Sequence, residues 1–108
     1  MGRVPSREIS VKDQYVTVMK ALSDPTRLDM LRLIGSAKEY ACTSLEHQLP
    51  VSKSTISYHI KILSYAGFVS VRREGKFFFY SLHRDVLDYY APTLLSWLSE
   101  GDSANVSP

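Results

Sequence analysis

Residues 52–67 read Ser52-Lys53-Ser54-Thr55-Ile56-Ser57-Tyr58-His59-Ile60-Lys61-Ile62-Leu63-Ser64-Tyr65-Ala66-Gly67. Ile56, Ile60 and Leu63 recur at the spacing of one buried stripe on an α-helix. Ser52 stands just before that stripe, where a hydroxyl accepts from the amides left free at a helix start. Gly67 stands just after it, where a left-handed residue closes a helix. The segment therefore predicts a helix over Lys53–Ala66. Its opposite face holds Lys53, Ser54, Thr55, Ser57, Tyr58 and Lys61, with His59 nearer the edge. Hydroxyls can donate to or accept from base edges and phosphates, and lysines supply point charges for a phosphate backbone.

Upstream, Thr43 can cap a short helix through Leu49, in which Leu45 and Leu49 are one turn apart, and Pro50 ends it. A short helix, a tight turn and a second helix have helix-turn-helix spacing, in which the second helix enters the major groove with its N-terminal residues leading. Base contacts are expected from Ser54, Thr55, Ser57 and Tyr58 and phosphate contacts mainly from Lys53 and Lys61, with His59 completing the set. Downstream, strand-forming residues take over. Val69 and Val71 precede Arg73-Glu74-Gly75-Lys76, and Phe77 to Tyr80 follow it, with Gly75 supplying a turn position. This predicts a β-hairpin whose tip presents Arg72, Arg73 and Lys76 to the DNA backbone or a minor groove. Because Phe77, Phe78 and Phe79 are consecutive, strand alternation points at least one away from the main core, where packing under a neighbouring helix is expected.

On the N-terminal side, Val11, Tyr15, Val18, Met19 and Leu22 predict an amphipathic helix over Ile9–Leu22. Asp24-Pro25 starts another, with Leu28, Leu31 and Ile34 inside and a stop near Gly35. Glu39 and Tyr40 read as linker. The last helix, Arg84–Ser99, has apolar residues all round and so needs two partners. Pro92 should bend it. A homodimer is expected from Val11, Tyr15 and Val18 on the first helix with Leu87, Tyr90, Leu94 and Trp97 on the last. Tyr89, Tyr90 and Trp97 could instead line a pocket for an organic effector, although dimer packing accounts for them more simply. The expected fold is mostly α with a β-hairpin wing and about five helices. It occupies residues 9–99 as one domain, between flexible tails at 1–8 and 100–108.

The chain has 108 residues, 44% hydrophobic and 22% charged, which suits a single globular domain. Its net charge is only +2, but Lys53–Lys76 carries five cations against Glu74 alone, so that stretch is +4 and the remainder −2. No apolar run is long enough to span a bilayer, and Met1–Ser10 has no hydrophobic signal core, so a cytoplasmic location away from membranes is expected. The one cysteine, Cys42, cannot form an intramolecular disulfide or a cysteine-based zinc site. No nucleophile elbow, phosphate-cradling glycine loop or acid–base pair placed by a motif is present, which argues against an enzyme and gives no catalytic residue and no cofactor.

Four stretches resemble the arsenic-repressor (ArsR/SmtB) family of bacterial regulators: Ala21–Arg27, Ser54–Leu63, Ala66–Val69, and Arg72–Lys76 with Tyr80. The resemblance runs from about Val11 to Tyr90. It implies a dimeric winged-helix repressor in which the first and last helices form the interface, Lys53–Ala66 reads a double-stranded, palindromic operator, and a small-molecule effector releases the DNA. Metal-sensing relatives often carry paired cysteines at the start of the helix-turn-helix. Here, Ala41 and Thr43 stand in those positions and Cys42 is offset by one residue. The last helix has Asp85 and Asp88 with no histidine inside it, and His83 lies only at its edge. No metal site is expected. The competing readings are a winged-helix protein-interaction module, or a regulator switched by metal or by oxidation of Cys42.

Overall fold

A computed structural model describes residues 10–100. The tails expected at 1–8 and from 101 onward, and Ile9, lie outside the described residues, while Glu100 ends the last helix instead of starting a tail. Helix α1 (Val11–Leu22) begins where Ser10 Oγ accepts the Asp13 amide at 3.1 Å. Helix α2 (Pro25–Gly35) begins where the Asp24 carboxylate accepts the Arg27 amide at 3.0 Å, with proline at the first position.

The expected linker at Tyr40 is a short strand, β1 (Tyr40–Ala41). Its pairing holds Ala41 extended, so α3 (Cys42–Gln48) starts directly after Ala41 with no side-chain cap, and Thr43 lies inside the helix rather than capping it. Helix α4 (Lys53–Tyr65) is capped as expected: Ser52 Oγ accepts the Thr55 amide at 3.2 Å, and Gly67 takes φ +93° beyond the C-cap Ala66. The hairpin comprises β2 (Val69–Glu74) and β3 (Phe77–Leu82), with Gly75 at φ +63° in its turn. The sheet is antiparallel in the order β1-β3-β2.

The expected single last helix is two, α5 (Arg84–Tyr90) and α6 (Pro92–Glu100), separated by Ala91 at φ −151°, ψ 68°. A residue before proline is driven out of the α region, so Pro92 breaks the helix rather than bending it. The described residues thus hold six helices in a winged helix-turn-helix arrangement. Among them, no helix is long and apolar enough to cross a membrane.

Met30, Leu31 and Ile34 of α2 sit at the centre of the core with Leu45, Ile56, Leu63, Phe68 and Leu87, all fully buried. Two residues expected at a dimer interface belong to this core: Val18 is 3% exposed and Leu87 0%. Helical periodicity marks a position as apolar without saying which neighbour covers it, and these two have no surface left for a partner. Trp97 is half-buried beneath the Arg32 guanidinium, 5.0 Å from its ring centroid. Val11 and Tyr15 remain exposed, whereas Tyr90 and Leu94 are half-buried.

Candidate nucleic-acid interface

Helix α4 buries Ile56, Ile60 and Leu63 against the core and leaves two exposed stripes. Lys53, Ser57, Lys61 and Ser64 border the hairpin, and Ser54, Tyr58 and Tyr65 lie on the other side, with Tyr58 60% exposed. Lys53, Ser54, Ser57, Tyr58 and Lys61 of the expected reading set therefore share the open side of one capped helix. Thr55 is half-buried, and its hydroxyl accepts from Ser52 Oγ at 3.0 Å, which makes it part of the cap.

His59 is a correction. It is 8% exposed and faces α2, because its position turns it toward the apolar stripe. Arg27 Nη1 lies 3.0 Å from His59 Nδ1. A guanidinium can only donate, so Nδ1 must accept and the ring must be neutral. The same guanidinium donates from Nε to the Ala21 carbonyl at 2.8 Å and from Nη2 to the Lys20 carbonyl at 3.0 Å. Arg27 thus ties the end of α1 and the start of α2 to the reading helix.

Burial holds the His59 pKa below its ordinary 6.5. The Arg27 charge acts in the same direction, and Asp24 opposes it. With a depressed folded-state pKa, the stabilisation is complete above the unfolded value and is lost as pH falls below it. We expect the melting temperature to drop between pH 7.5 and 5, and to drop less in His59→Gln. Parallel pH curves for the two proteins would contradict the neutral-ring assignment.

The wing is less free than its composition suggests. Arg72 donates from Nε and Nη2 to the Glu39 carboxylate at 2.6 and 2.8 Å and from Nη1 to Glu74 at 3.1 Å. Its guanidinium carbon also lies 4.7 Å from the Phe79 ring centroid. These bonds raise the Arg72 pKa, and the bond to Arg72 holds the Glu39 carboxyl below its usual range. Arg73 Nε donates to the Gly75 carbonyl at 2.7 Å and so braces the turn. Lys76 sits at the tip, 5.8 Å from the centroid of Phe77, which is 51% exposed and lies under this lysine rather than under a helix. Among the described residues, Lys53, Lys61 and Lys76 form no ion pair. No local pattern marks Glu39 as the partner of Arg72, whereas Arg27 stands beside the Asp24-Pro25 helix start.

A capped helix with an open polar side, preceded by a short helix and followed by a basic hairpin, is a DNA-reading arrangement. A family model described as a helix-turn-helix domain matches residues 22–72. The chain is 38% identical over 86 residues to the transcriptional repressor SdpR of Bacillus subtilis, covering 80% of this chain and 94% of that protein. It is 40% identical over 73 residues to an arsenical resistance operon repressor of Staphylococcus xylosus, covering 68% and 69%.

The chain belongs to the ArsR family. It is a DNA-binding transcriptional repressor, and the family is one of regulators rather than enzymes. A solved neighbour, the homodimeric winged helix-turn-helix DNA-binding domain Mb0332 of Mycobacterium bovis, described as a possible ArsR-family regulator, superposes with a TM-score of 0.71 at 25% identity over the whole of both chains. Within this ArsR chain, Cys42 is 5% exposed and packs near Tyr80, whose phenol pKa is raised by burial first and by Cys42 second. Among the described residues, no three His, Cys, Asp or Glu side chains are grouped to hold a metal.

Proposed function

We propose that this ArsR-family chain is a homodimeric repressor acting in the cytoplasm, which places α4 of each copy in the major groove of a palindromic operator and lets go when a small-molecule effector binds. The observation that carries the reading is the open side of α4, where unpaired Lys53 and Lys61 flank Ser57 and Tyr58 beside the Lys76 hairpin tip. Lysines fix the register on phosphates, and Ser54, Ser57 and Tyr58 meet base edges.

The dimer is supported by apolar surface on α1, where Val11 is 67%, Tyr15 46% and Met19 44% exposed, continued by Tyr89 at 75%. Tyr15 stacks edge-on against Tyr90 at 5.5 Å, which joins the two helices into one patch. Sequencing the duplexes that the purified protein selects from a random pool tests both parts. An inverted repeat with half-sites about 10 base pairs apart is expected. No enrichment of any duplex would overturn the reading and leave the protein-interaction module.

Glu39→Gln combined with Glu74→Gln provides a check on the wing. Releasing Arg72 from both carboxylates makes one more cation available per chain, so the slope of log affinity against log salt should steepen by about one per half-site. An unchanged slope would keep Arg72 off the DNA.

A further inference from the structure

The stripe Lys53, Ser57, Lys61 and Ser64 does not close against the inner face of the hairpin but leaves a cleft of about 280 Å³ floored by Cys42, Ile60, Val71, Phe78 and Tyr80. A second hollow of about 330 Å³ shares Cys42, Lys53 and Phe78 with it and runs on to Lys76 at the wing tip. The two adjoin at these shared residues, and we treat them as one groove with a largely apolar floor. Val71 stays 45% exposed in it although a helix lies alongside.

We propose that this groove binds a medium-chain acyl carboxylate, and that the bound anion and DNA exclude one another. The floor is aliphatic, aromatic and thiol, which gives a linear hydrocarbon surface to bury but offers nothing to the sugar–phosphate backbone of DNA. The rim supplies three lysines, Lys53, Lys61 and Lys76, none of them ion-paired among the described residues, and no carboxylate lines either hollow. Glu46 acts on Tyr80 through space. An apolar trough edged by unpaired cations is complementary to a ligand with one hydrocarbon chain and one negative head. Exclusion rests on the DNA reading above, because Lys53 and Lys61 are the cations assigned there to phosphates.

The test uses decanoate below its micelle concentration, with 1-decanol as the neutral counterpart and 1-naphthoate as the aromatic one. Amide resonances of Ser57, Val71 and Phe78 and the methyl resonances of Val71 should shift with decanoate, and decanol should bind about tenfold more weakly for want of the charged contact. Val71→Phe places a ring in the cleft from a 45% exposed position on β2, off the reading helix. A variant that melts like the wild type should lose decanoate binding and keep duplex binding. Shifts centred on Tyr15 and Tyr90, equal binding of decanol, or preference for naphthoate would each overturn the assignment. Decanoate should also release a bound duplex from the wild type but not from Val71→Phe. Groove shifts without such release would refute exclusion alone, and groove shifts in a protein that binds no duplex would sink the DNA reading while the site stands.

Discussion

Replacing Lys53 and Lys61 together with glutamine is expected to lower affinity for every duplex by about a hundredfold per half-site near 0.1 M salt, and to reduce the salt slope by about two. The magnitude follows from counterion release, which is worth roughly one decade per phosphate contact at that salt. Both lysines are exposed, lie on the same stripe of α4 and, among the described residues, have no carboxylate to hold them. Ser57→Ala and Tyr58→Ala should behave differently. Each should cost about 1–3 kcal/mol on the preferred sequence and little on random duplex, because a base-edge contact discriminates and a phosphate contact does not. Binding measured on specific and random duplexes at three salt concentrations separates the two patterns. A uniform loss from all of these substitutions would refute the assignment of base contacts.

Arg27→Ala is expected to lower the unfolding free energy by about 2–4 kcal/mol, with the denaturation midpoint shifting and the m-value unchanged. One guanidinium donates to two α1 carbonyls and to His59, so the truncation leaves the Ala21 carbonyl and His59 Nδ1 without their donor, while the Lys20 carbonyl keeps the Ser23 amide and hydroxyl. Arg27→Lys should recover little of the loss, because a single ammonium cannot span that fork of acceptors. Duplex affinity should fall as well, since the bond to His59 fixes the position of the reading helix relative to α1. A double-mutant cycle of Arg27→Ala with His59→Gln reads that coupling directly. If Arg27→Ala melts within about 0.5 kcal/mol of wild type, the geometry contributes nothing measurable.

The groove bears on how such a regulator could be released. Its floor lies behind the reading stripe, and its rim includes lysines expected to meet phosphate, so a ligand there acts on DNA binding without a change passing through the dimer interface. That separates it from the Tyr15–Tyr90 patch, where Tyr90 also meets Phe68 edge-on at 6.5 Å and Tyr89 at 4.9 Å. Those rings pack on one another within the chain.

Helix starts and turns were legible wherever a few adjacent residues carry the whole signal. Ser52 and Asp24 cap the helices they precede, Gly67 and Gly75 take the positive φ that their positions require, and the apolar stripe of α4 is buried as its spacing predicts. Thr43 failed as a cap because strand pairing of Ala41 with Phe79 set the helix start, and that pairing is not encoded next to Thr43. Pro92 was recognised, but whether it bends or breaks a helix depends on the residue before it and on what the two halves pack against. The six-helix outcome could not be read from periodicity alone.

By itself, the sequence determined a winged helix-turn-helix chain with its basic stretch on the reading helix and hairpin, because caps, periodicity and turn glycines act over one or two helical turns. Only the tertiary structure decided which of those side chains remain available. It drew His59 inward to Arg27, 32 residues away, and Arg72 across to Glu39, 33 residues away. It also buried Val18 and Leu87 and left the groove beside α4 open. Each of these outcomes depends on which surfaces meet once the elements pack, and a polar or apolar side chain is committed by its spatial neighbours, whose identity no local pattern specifies.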